Sequence, residues 1–292
     1  MNPVKILFII NPNSGADSKA RPSEIIKSAM VQKQVAFHIH ELEKNTDSKS
    51  LGNLLKNYKP EIVVAAGGDG TVNLVASSLI GMNVLLGILP LGSANGLAFE
   101  LGIPAKIEDA LQNLLSEKIQ PLDAVKINDT HISLHLSDFG MNARVIKGFE
   151  KEGKRGFLGY FKHFIRVLRT PKSFRCIIET PVKTYIHRAL MVVIANSGSY
   201  RSGAVINPTH KKDDGLFEII VLKPRRHWII RNTIAAFTGN FHNQSNIATY
   251  ECTSAKIMVR PSQELQVDGE LLGKQQSVNA EIIKHALQVI VP

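Results

Sequence analysis

Residues 62–73 read IVVAAGGDGTVN, an apolar segment of strand length that runs directly into a glycine-rich loop. The first five residues predict a buried strand, because the segment is short, apolar and rich in β-branched side chains. Gly67, Gly68 and Gly70 let backbone N–H groups approach a phosphate closely, and a helix expected from Val72 onward points its positive end at the same place. The stretch therefore predicts a strand, a phosphate-type loop and a helix in succession.

Asp69 lies inside this loop, and its carboxylate cannot bind a phosphate directly because like charges repel. We interpret Asp69 as a partner of Mg²⁺, or as a member of a charged network that positions the metal. The alternative is a tight strand-to-helix turn in which Asp69 caps the helix. Thr71 also allows two interpretations, since its hydroxyl could bind a phosphate or cap the helix.

Two further loops occupy the same place relative to apolar strands. Val4–Ile10 runs into Asn11-Pro12-Asn13-Ser14-Gly15, and residues 84–89 run into Pro90-Leu91-Gly92-Ser93-Ala94-Asn95-Gly96. Proline and glycine favour turns, while the Asn and Ser side chains offer short hydrogen-bonding groups. In an open parallel sheet, the loops at the carboxyl ends of the strands form the ligand crevice. The three loops therefore predict one shared ligand site.

The pattern of predicted elements changes near Val125. Strands alternate with helices up to about Ser116, the helices being Ser23–Gln32, Ser48–Asn57, Val72–Ile80 and Ile107–Ser116. Strands dominate after Asp123, namely His131–Leu136, Phe174–Ile178, Ala189–Ile194, Leu216–Leu222 and Lys256–Val259. Such a change predicts an α/β domain with a parallel sheet over residues 1–124 and a β-rich domain over residues 125–279. The apolar run Ala286–Val291 predicts one more buried strand.

The net charge of +10 is concentrated in the second half of the chain. Residues 1–125 hold 11 basic and 12 acidic residues, a balance of −1, whereas residues 126–292 hold 24 and 13, a balance of +11. The most basic segment, Arg144–Arg175, spaces Phe157, Phe161 and Phe164 as a helix would. Such a helix could lie in a membrane interface with its cations at anionic head groups, or bury its Phe stripe in the domain core. Lys223–Phe237 is a second candidate for the same role.

Composition and motifs exclude several classes of protein. Nothing in the chain is typical of an RNA-recognition sheet, a zinc finger or a helix-turn-helix, so we expect no nucleic-acid partner. No apolar run reaches the ~20 residues that span a bilayer, and the first residues lack a signal-peptide pattern. Cys176 and Cys252 are isolated, which indicates neither a disulfide framework nor a zinc site. We therefore predict a cytoplasmic protein that associates peripherally with membranes.

The three loops, together with Val267-Asp268-Gly269-Glu270, resemble the diacylglycerol-kinase catalytic-domain family, which includes bacterial lipid kinases and sphingosine and ceramide kinases. The motifs NPNSG, GGDGTVN, PLGSANGLA and VDGE occur in this order, and the resemblance covers essentially the whole chain. The resemblance implies phosphorylation of a lipid hydroxyl with ATP and Mg²⁺. It also implies that residues 280–292 return to the first domain, and that the active site lies in the cleft between the two domains.

The resemblance further implies the roles of individual residues. Glu270 would be the general base and Asp69 the second catalytic carboxylate. The nucleotide would contact Asn11, Asn13, Ser14, Gly15, Thr46, Gly67, Gly68, Asp69, Gly70, Thr71, Asn73, Ser93 and Asn95. Besides Asp69, metal ligands are expected in one turn, where Asp214 and the carbonyls of Lys211 and Leu216 would hold a structural Mg²⁺. The alternative for that turn is a plain Asp-Gly turn. Asp123 stands where the family places a network carboxylate, although it could equally lie in a surface turn.

The third loop departs from the family pattern. It reads Gly92-Ser93-Ala94-Asn95-Gly96 where bacterial diacylglycerol kinases usually carry GTxND, so one carboxylate beside Asp69 is missing. The GSxN form looks more like sphingosine kinases, and the predicted substrate is therefore a diacylglycerol or a sphingoid-type lipid at a membrane surface. Two alternatives remain: an NAD kinase, which shares the GGDGT loop, and a non-catalytic, nucleotide-gated lipid-binding protein. A homodimer is left open as a possible assembly.

Overall fold

The computed structural model describes residues 5–14, 21–43, 46–93, 95–116, 118–141, 143–144, 172–198, 211–224 and 245–292. The chain divides into two units, Met1–Leu122 with His285–Pro292, and Asp123–Lys284. The domains predicted from the sequence, 1–124 with 280–292 and 125–279, place both boundaries within a few residues of this division.

The sheet of the first unit has four parallel strands: β1 (Ile6–Ile10), β2 (Phe37–Glu41), β3 (Ile62–Gly67) and β4 (Leu85–Pro90). They lie in the order β2-β1-β3-β4, and the last residues of strand β14 (Glu270–Ile290) pair in parallel with β4. The C-terminal segment thus pairs with the sheet of the first unit, to which His285–Pro292 belong. Because β2 and β3 lie on opposite sides of β1, the strand order reverses between β1 and β3, the point at which open α/β sheets bind ligands.

Five described helices belong to this unit: α1 (Pro22–Gln32), α2 (Ser48–Tyr58), α3 (Asp69–Leu79), α4 (Gly96–Glu100) and α5 (Ile107–Asn113). Helix α2 begins at a capping box, in which the Asp47 carboxylate accepts the N–H of Ser50 and the Ser50 hydroxyl accepts the N–H of Asp47. Helix α3 begins three residues earlier than predicted, at Asp69 rather than Val72. Its first turn therefore includes the residues of the glycine-rich loop.

The second unit is built from antiparallel strands: β5 (Ile119–Ile127), β6 (His131–Ser133), β7 (Leu136–Gly140), β8 (Phe174–Glu179), β9 (Thr184–Ala189), β10 (Met191–Ala195), β11 (Phe217–Leu222), β12 (Ile247–Cys252) and β13 (Ser254–Val267). The order along the main path is β12-β11-β10-β7-β13-β14, and β8 pairs with both β13 and β9. Alternate side chains of these strands, among them Phe139, Phe174 and Phe217, form one buried core. The predicted fold class, a parallel α/β domain followed by a β-rich domain, is confirmed.

Two strands predicted in the second unit are wrong in their extent. The predicted strand His131–Leu136 is broken between β6 and β7, because the backbone N–H groups of Leu134 and His135 donate to a distant carboxylate instead of to a partner strand. The predicted strand Ala189–Ile194 is broken at Leu190, whose N–H donates to the carbonyl of Leu222 at 2.7 Å. There the chain leaves the pairing with β8 and joins β7 and β11.

The structure describes only the ends of the two segments that are candidates for a membrane interface. The predicted amphipathic helix within Arg144–Arg175 lies outside the described residues, apart from its flanks, and so does nearly all of Lys223–Phe237. Phe174 and Arg175, at the end of the first segment, begin strand β8. Within the part of the chain that the structure describes, no helix is both long and apolar enough to cross a membrane.

Candidate active site

Three loops leave the carboxyl ends of β1, β3 and β4 side by side. The N–H of Asn11 donates to the carbonyl of Ala66 at 3.0 Å, and the N–H of Leu91 donates to the carbonyl of Gly67 at 2.9 Å. These bonds extend the parallel pairing by one residue beyond each strand, so the loops begin at the same level. The sequence prediction that the three loops belong together is confirmed within the first unit.

Two glycines allow the second and third loops to pack backbone against backbone. A Cβ atom added to Gly92 would lie 2.5 Å from the Cα atom of Gly68, and one added to Gly67 would lie 2.3 Å from the hydroxyl oxygen of Thr71. Both distances are far below van der Waals contact, and neither neighbour is a flexible chain end. A larger residue at Gly92 would separate the second and third loops, and one at Gly67 would displace Thr71 in the first turn of α3.

The N-terminus of helix α3 carries no side-chain cap. Gly68 is its N-cap residue, in extended conformation, and has no side chain that could accept a hydrogen bond from the first-turn N–H groups as a cap does. Asp69 and Thr71 lie inside the helix, so the alternatives that made either of them the cap are wrong. A helix terminus of this kind, preceded by glycine, is suited to bind an anion such as a phosphate.

The Asp69 carboxylate links the first turns of two helices. It is half-buried in α3, and its Oδ1 accepts a hydrogen bond from the N–H of Leu97 in α4 at 3.4 Å. No group of three or more His, Cys, Asp or Glu side chains that could hold a metal occurs among the described residues. A carboxylate beside a phosphate-type loop suits Mg²⁺, which proteins usually bind through one or two carboxylates and the phosphates of a substrate.

Asn11 ties the first loop to helix α3. Its side-chain amide donates to the hydroxyl oxygen of the buried Thr71 at 3.4 Å, and its own Oδ1 accepts the N–H of Asn13 at 3.0 Å. Ser14 closes the same turn by donating its N–H to the Asn11 carbonyl at 3.0 Å. Asn11, Thr71 and Ser14 therefore lie together, as predicted, and Asn13 is exposed beside them. Gly15 lies outside the described residues.

The other predicted nucleotide contacts make mainly local hydrogen bonds. Asn95 has a left-handed backbone with φ 49°, and its side chain bonds the N–H and carbonyl of Gly92 at 2.9 and 2.7 Å. Thr46, after β2, accepts the N–H of Glu43 at 3.1 Å. Asn73 accepts the hydroxyl of Ser77 within α3. Ser93 is exposed on the third loop. Their contacts with a nucleotide stay predictions.

In the second unit, the turn between β13 and β14 is held by Asp268. Its carboxylate accepts the hydroxyl of Ser133 and the backbone N–H groups of Leu134, His135 and Leu136, at distances of 2.7 to 3.1 Å. The backbone of Asp268 is left-handed, with φ 45°. A carboxylate that accepts three successive N–H groups is a strong anchor, because hydrogen bonds to charged groups are the stronger ones.

Glu270 follows this anchored turn as the first residue of β14, and its side chain is exposed. Beneath the turn, the buried Gln266 accepts the N–H of Gly269 at 2.6 Å and donates to the Asp138 carboxylate and the Leu136 carbonyl. Sequence reasoning missed Gln266 and Asp138. Other polar residues lie in the same two strands, so nothing in the sequence pattern distinguishes Gln266 and Asp138 from them.

The turn at residues 211–216 contacts Asp123. The side chain of Asp123 is completely buried and accepts the N–H of Gly215 at 2.7 Å, so the interpretation as a surface turn is wrong. Asp214 is exposed and accepts the N–H of Leu216 at 3.0 Å, which closes a local turn. Lys211 is exposed. The structural Mg²⁺ assigned to Asp214, Lys211 and Leu216 stays a prediction.

Comparisons with known proteins agree with this geometry. Residues 5–127 match the model of the diacylglycerol kinase catalytic domain, and residues 137–291 match that of the YegS C-terminal NAD kinase beta sandwich-like domain. A "Probable lipid kinase YegS-like" of Yersinia enterocolitica is 29% identical over 268 residues, 88% of each chain. Its counterpart in Yersinia pestis strain Pestoides F is 26% identical over 98% of this chain and 96% of that protein.

A solved structure shares the fold. The crystal structure of a diacylglycerol kinase from Bacillus anthracis strain Sterne covers 100% of this chain and 98% of its own, with a TM-score of 0.82 and 22% sequence identity. The two family models together span both units of the chain in the expected order. The chain therefore belongs to the diacylglycerol kinase catalytic-domain family, a family of lipid kinases.

Proposed function

We propose that this protein transfers the γ-phosphoryl group of ATP to the hydroxyl of a lipid, of diacylglycerol or sphingoid type. The observation that carries the proposal is the uncapped, glycine-preceded N-terminus of helix α3 at the switch point of the parallel sheet. Two relatives described as lipid kinases, which match most of the chain, support the same activity.

The first unit supplies the nucleotide site in this proposal. Backbone N–H groups of Gly68, Asp69 and Gly70 bind phosphate oxygens at the end of α3, where the helix dipole favours negative charge. Asn11 and Thr71 hold the neighbouring loop in place through their mutual hydrogen bond. Mg²⁺, held by Asp69 and the phosphates, would neutralise the charge that dominates phosphoryl transfer.

The second unit supplies the general base in this proposal. Glu270 accepts the proton of the lipid hydroxyl. The hydroxyl oxygen of the lipid bonds to the γ-phosphorus, and the bond from that phosphorus to the bridging oxygen of ADP breaks. An exposed carboxylate needs a fixed position for this role. The bonds from Asp268 and Gln266 to the surrounding backbone fix the turn that precedes it.

A transfer assay tests the proposal against the alternatives. The protein is incubated with γ-labelled ATP and Mg²⁺ and with detergent micelles of diacylglycerol, sphingosine or ceramide, or with NAD. We expect label in one lipid fraction, and we expect Asp69→Asn to lose most of that transfer while keeping its thermal unfolding profile. Label in NAD would instead support the NAD kinase alternative, which shares the GGDGT loop. Absence of transfer to every acceptor would support a non-catalytic lipid-binding protein.

A further inference from the structure

The outer face of strands β9, β8 and β13 carries three arginines in one row. Arg188 of β9 lies directly opposite Arg175 of β8, and Arg175 lies directly opposite Arg260 of β13. All three residues are exposed. Directly opposed residues in antiparallel strands have Cβ atoms about 5 Å apart, so the row concentrates three positive charges within roughly 10 Å.

No acidic side chain pairs with this row among the described residues. The ion pairs of the described residues involve Lys126, not the arginines of the row. Within the row, Arg188 donates a side-chain hydrogen bond to the hydroxyl of Ser173 at 2.7 Å. The acid on the same face, Glu179, lies two rows away and directly opposite Lys256. Like charges directly opposite each other destabilise a sheet. The described residues therefore offer no stabilising partner for the row, and an anionic ligand would offer one.

An apolar row lies next to the arginines on the same face. Ile186, Ile177 and Met258 are directly opposite one another, two residues along each strand from the arginine row. Ile186 is 57% exposed, and Val182, in the turn that joins β8 to β9, is 91% exposed. The three arginines, Ser173 and Ile186 are among the residues that line a cavity of about 510 Å³. The face thus combines anion-binding and apolar groups.

We propose that this face docks the protein on an anionic phospholipid bilayer. Guanidinium groups bind phosphates through paired N–H donors, so the arginine row fits lipid phosphates, while Val182 and Ile186 enter the boundary between head groups and acyl chains. The choice of a bilayer as occupant rests on the proposed function, because a lipid kinase must reach its substrate at a membrane. The exposed aliphatic side chains also favour a bilayer over nucleic acid, whose bases stack on aromatic rings.

Vesicle co-sedimentation without ATP tests the docking surface. The probes are vesicles of equimolar phosphatidylglycerol and phosphatidylcholine, and vesicles of phosphatidylcholine alone. The variant Arg175→Gln, Arg188→Gln, Arg260→Gln should bind the anionic vesicles about 100-fold more weakly than the parent, since each basic side chain at such a surface contributes about fivefold. The parent should bind the neutral vesicles weakly.

A matched control removes the same charge elsewhere. The variant Lys33→Gln, Lys49→Gln, Lys56→Gln changes three exposed lysines of the first unit and should bind anionic vesicles within about threefold of the parent. Equal losses in both variants, or unchanged binding of the arginine variant, would overturn the proposal. So would a loss of single-stranded DNA binding by the arginine variant with vesicle binding intact.

Two further readouts keep the test independent of folding and of catalysis. The arginine variant should unfold at the parent's temperature or a few degrees above it, because the opposed charges are gone. On substrate dispersed in detergent micelles it should phosphorylate lipid as the parent does. If vesicle binding depends on the arginines and no lipid is ever phosphorylated, the proposed function fails and the docking surface stands.

Discussion

The substitution Asp268→Asn tests whether the turn before Glu270 is fixed by one carboxylate. Oδ2 of Asp268 accepts the N–H of Leu134 at 2.7 Å, whereas Oδ1 accepts the hydroxyl of Ser133 and the N–H groups of His135 and Leu136. Asparagine retains one acceptor oxygen, so its NH₂ group must face the N–H of Leu134. A hydrogen bond to a charged acceptor contributes about 1.5–3 kcal/mol, and the facing donor is left unsatisfied.

The expected loss in the free energy of unfolding is therefore about 2–4 kcal/mol. In a unit of this size that corresponds to a fall in melting temperature of roughly 5 to 15 °C. Calorimetry measures this fall, and the control is Glu270→Gln, which removes the same charge from an exposed position of the same turn. We expect the control to unfold within about 0.5 kcal/mol of the parent.

The same pair of variants separates the positioning role of Asp268 from the catalytic role of Glu270. In Asp268→Asn the affinity for ATP should be unchanged, because the nucleotide loops belong to the other unit, while turnover falls roughly 10- to 100-fold through misplacement of Glu270. If Asp268→Asn unfolds within about 2 °C of the parent, the carboxylate does not hold the turn. The argument for a fixed base would then lose its structural support.

Two more properties follow from the structure. Gly92→Ala should weaken ATP binding at least 10-fold in isothermal titration, because its Cβ would meet the Cα of Gly68 at 2.5 Å. Gly52→Ala, with open space around the new Cβ in helix α2, should instead raise the free energy of unfolding by about 0.5–1 kcal/mol. Similar behaviour of the two variants in titration and thermal unfolding would refute the close packing of the loops. Burial raises the pKa of Cys176 to about 11 and that of Cys252 to about 12, so both thiols should resist a thiol reagent at pH 8 until the protein unfolds. Because the unfolded chain ionises these thiols near their ordinary pKa of 9.0, stability should fall as pH rises above that value, and rapid labelling of the folded protein would contradict the burial.

The sequence predicted what depends on local pattern. Buried runs and glycine loops gave the parallel strands, the helices and the meeting of three loops at one sheet edge. It placed the start of α3 too late, because Gly68 caps the helix with its backbone and leaves no side-chain signal before Asp69. Residue propensities cannot predict where a helix begins when the cap residue has no side chain.

Features that depend on distant pairing could not be predicted. The break in the strand predicted at residues 131–136 comes from Asp268, more than 130 positions along the chain. The arginine row requires the register of β9, β8 and β13, in which Arg260 lies 85 positions from Arg175 along the chain and directly opposite it in the sheet. Spacing within one segment carries no information about either contact.

The most direct test of the account is the turnover of Glu270→Gln on the lipid that the parent phosphorylates, at saturating ATP. A positioned general base contributes about 10²- to 10⁴-fold, and an exposed Glu→Gln change preserves size and fold. We predict a loss of turnover in that range with unchanged affinity for ATP and an unchanged melting temperature. A loss of less than about threefold would contradict the account, because a base of that importance could not be removed with so small an effect.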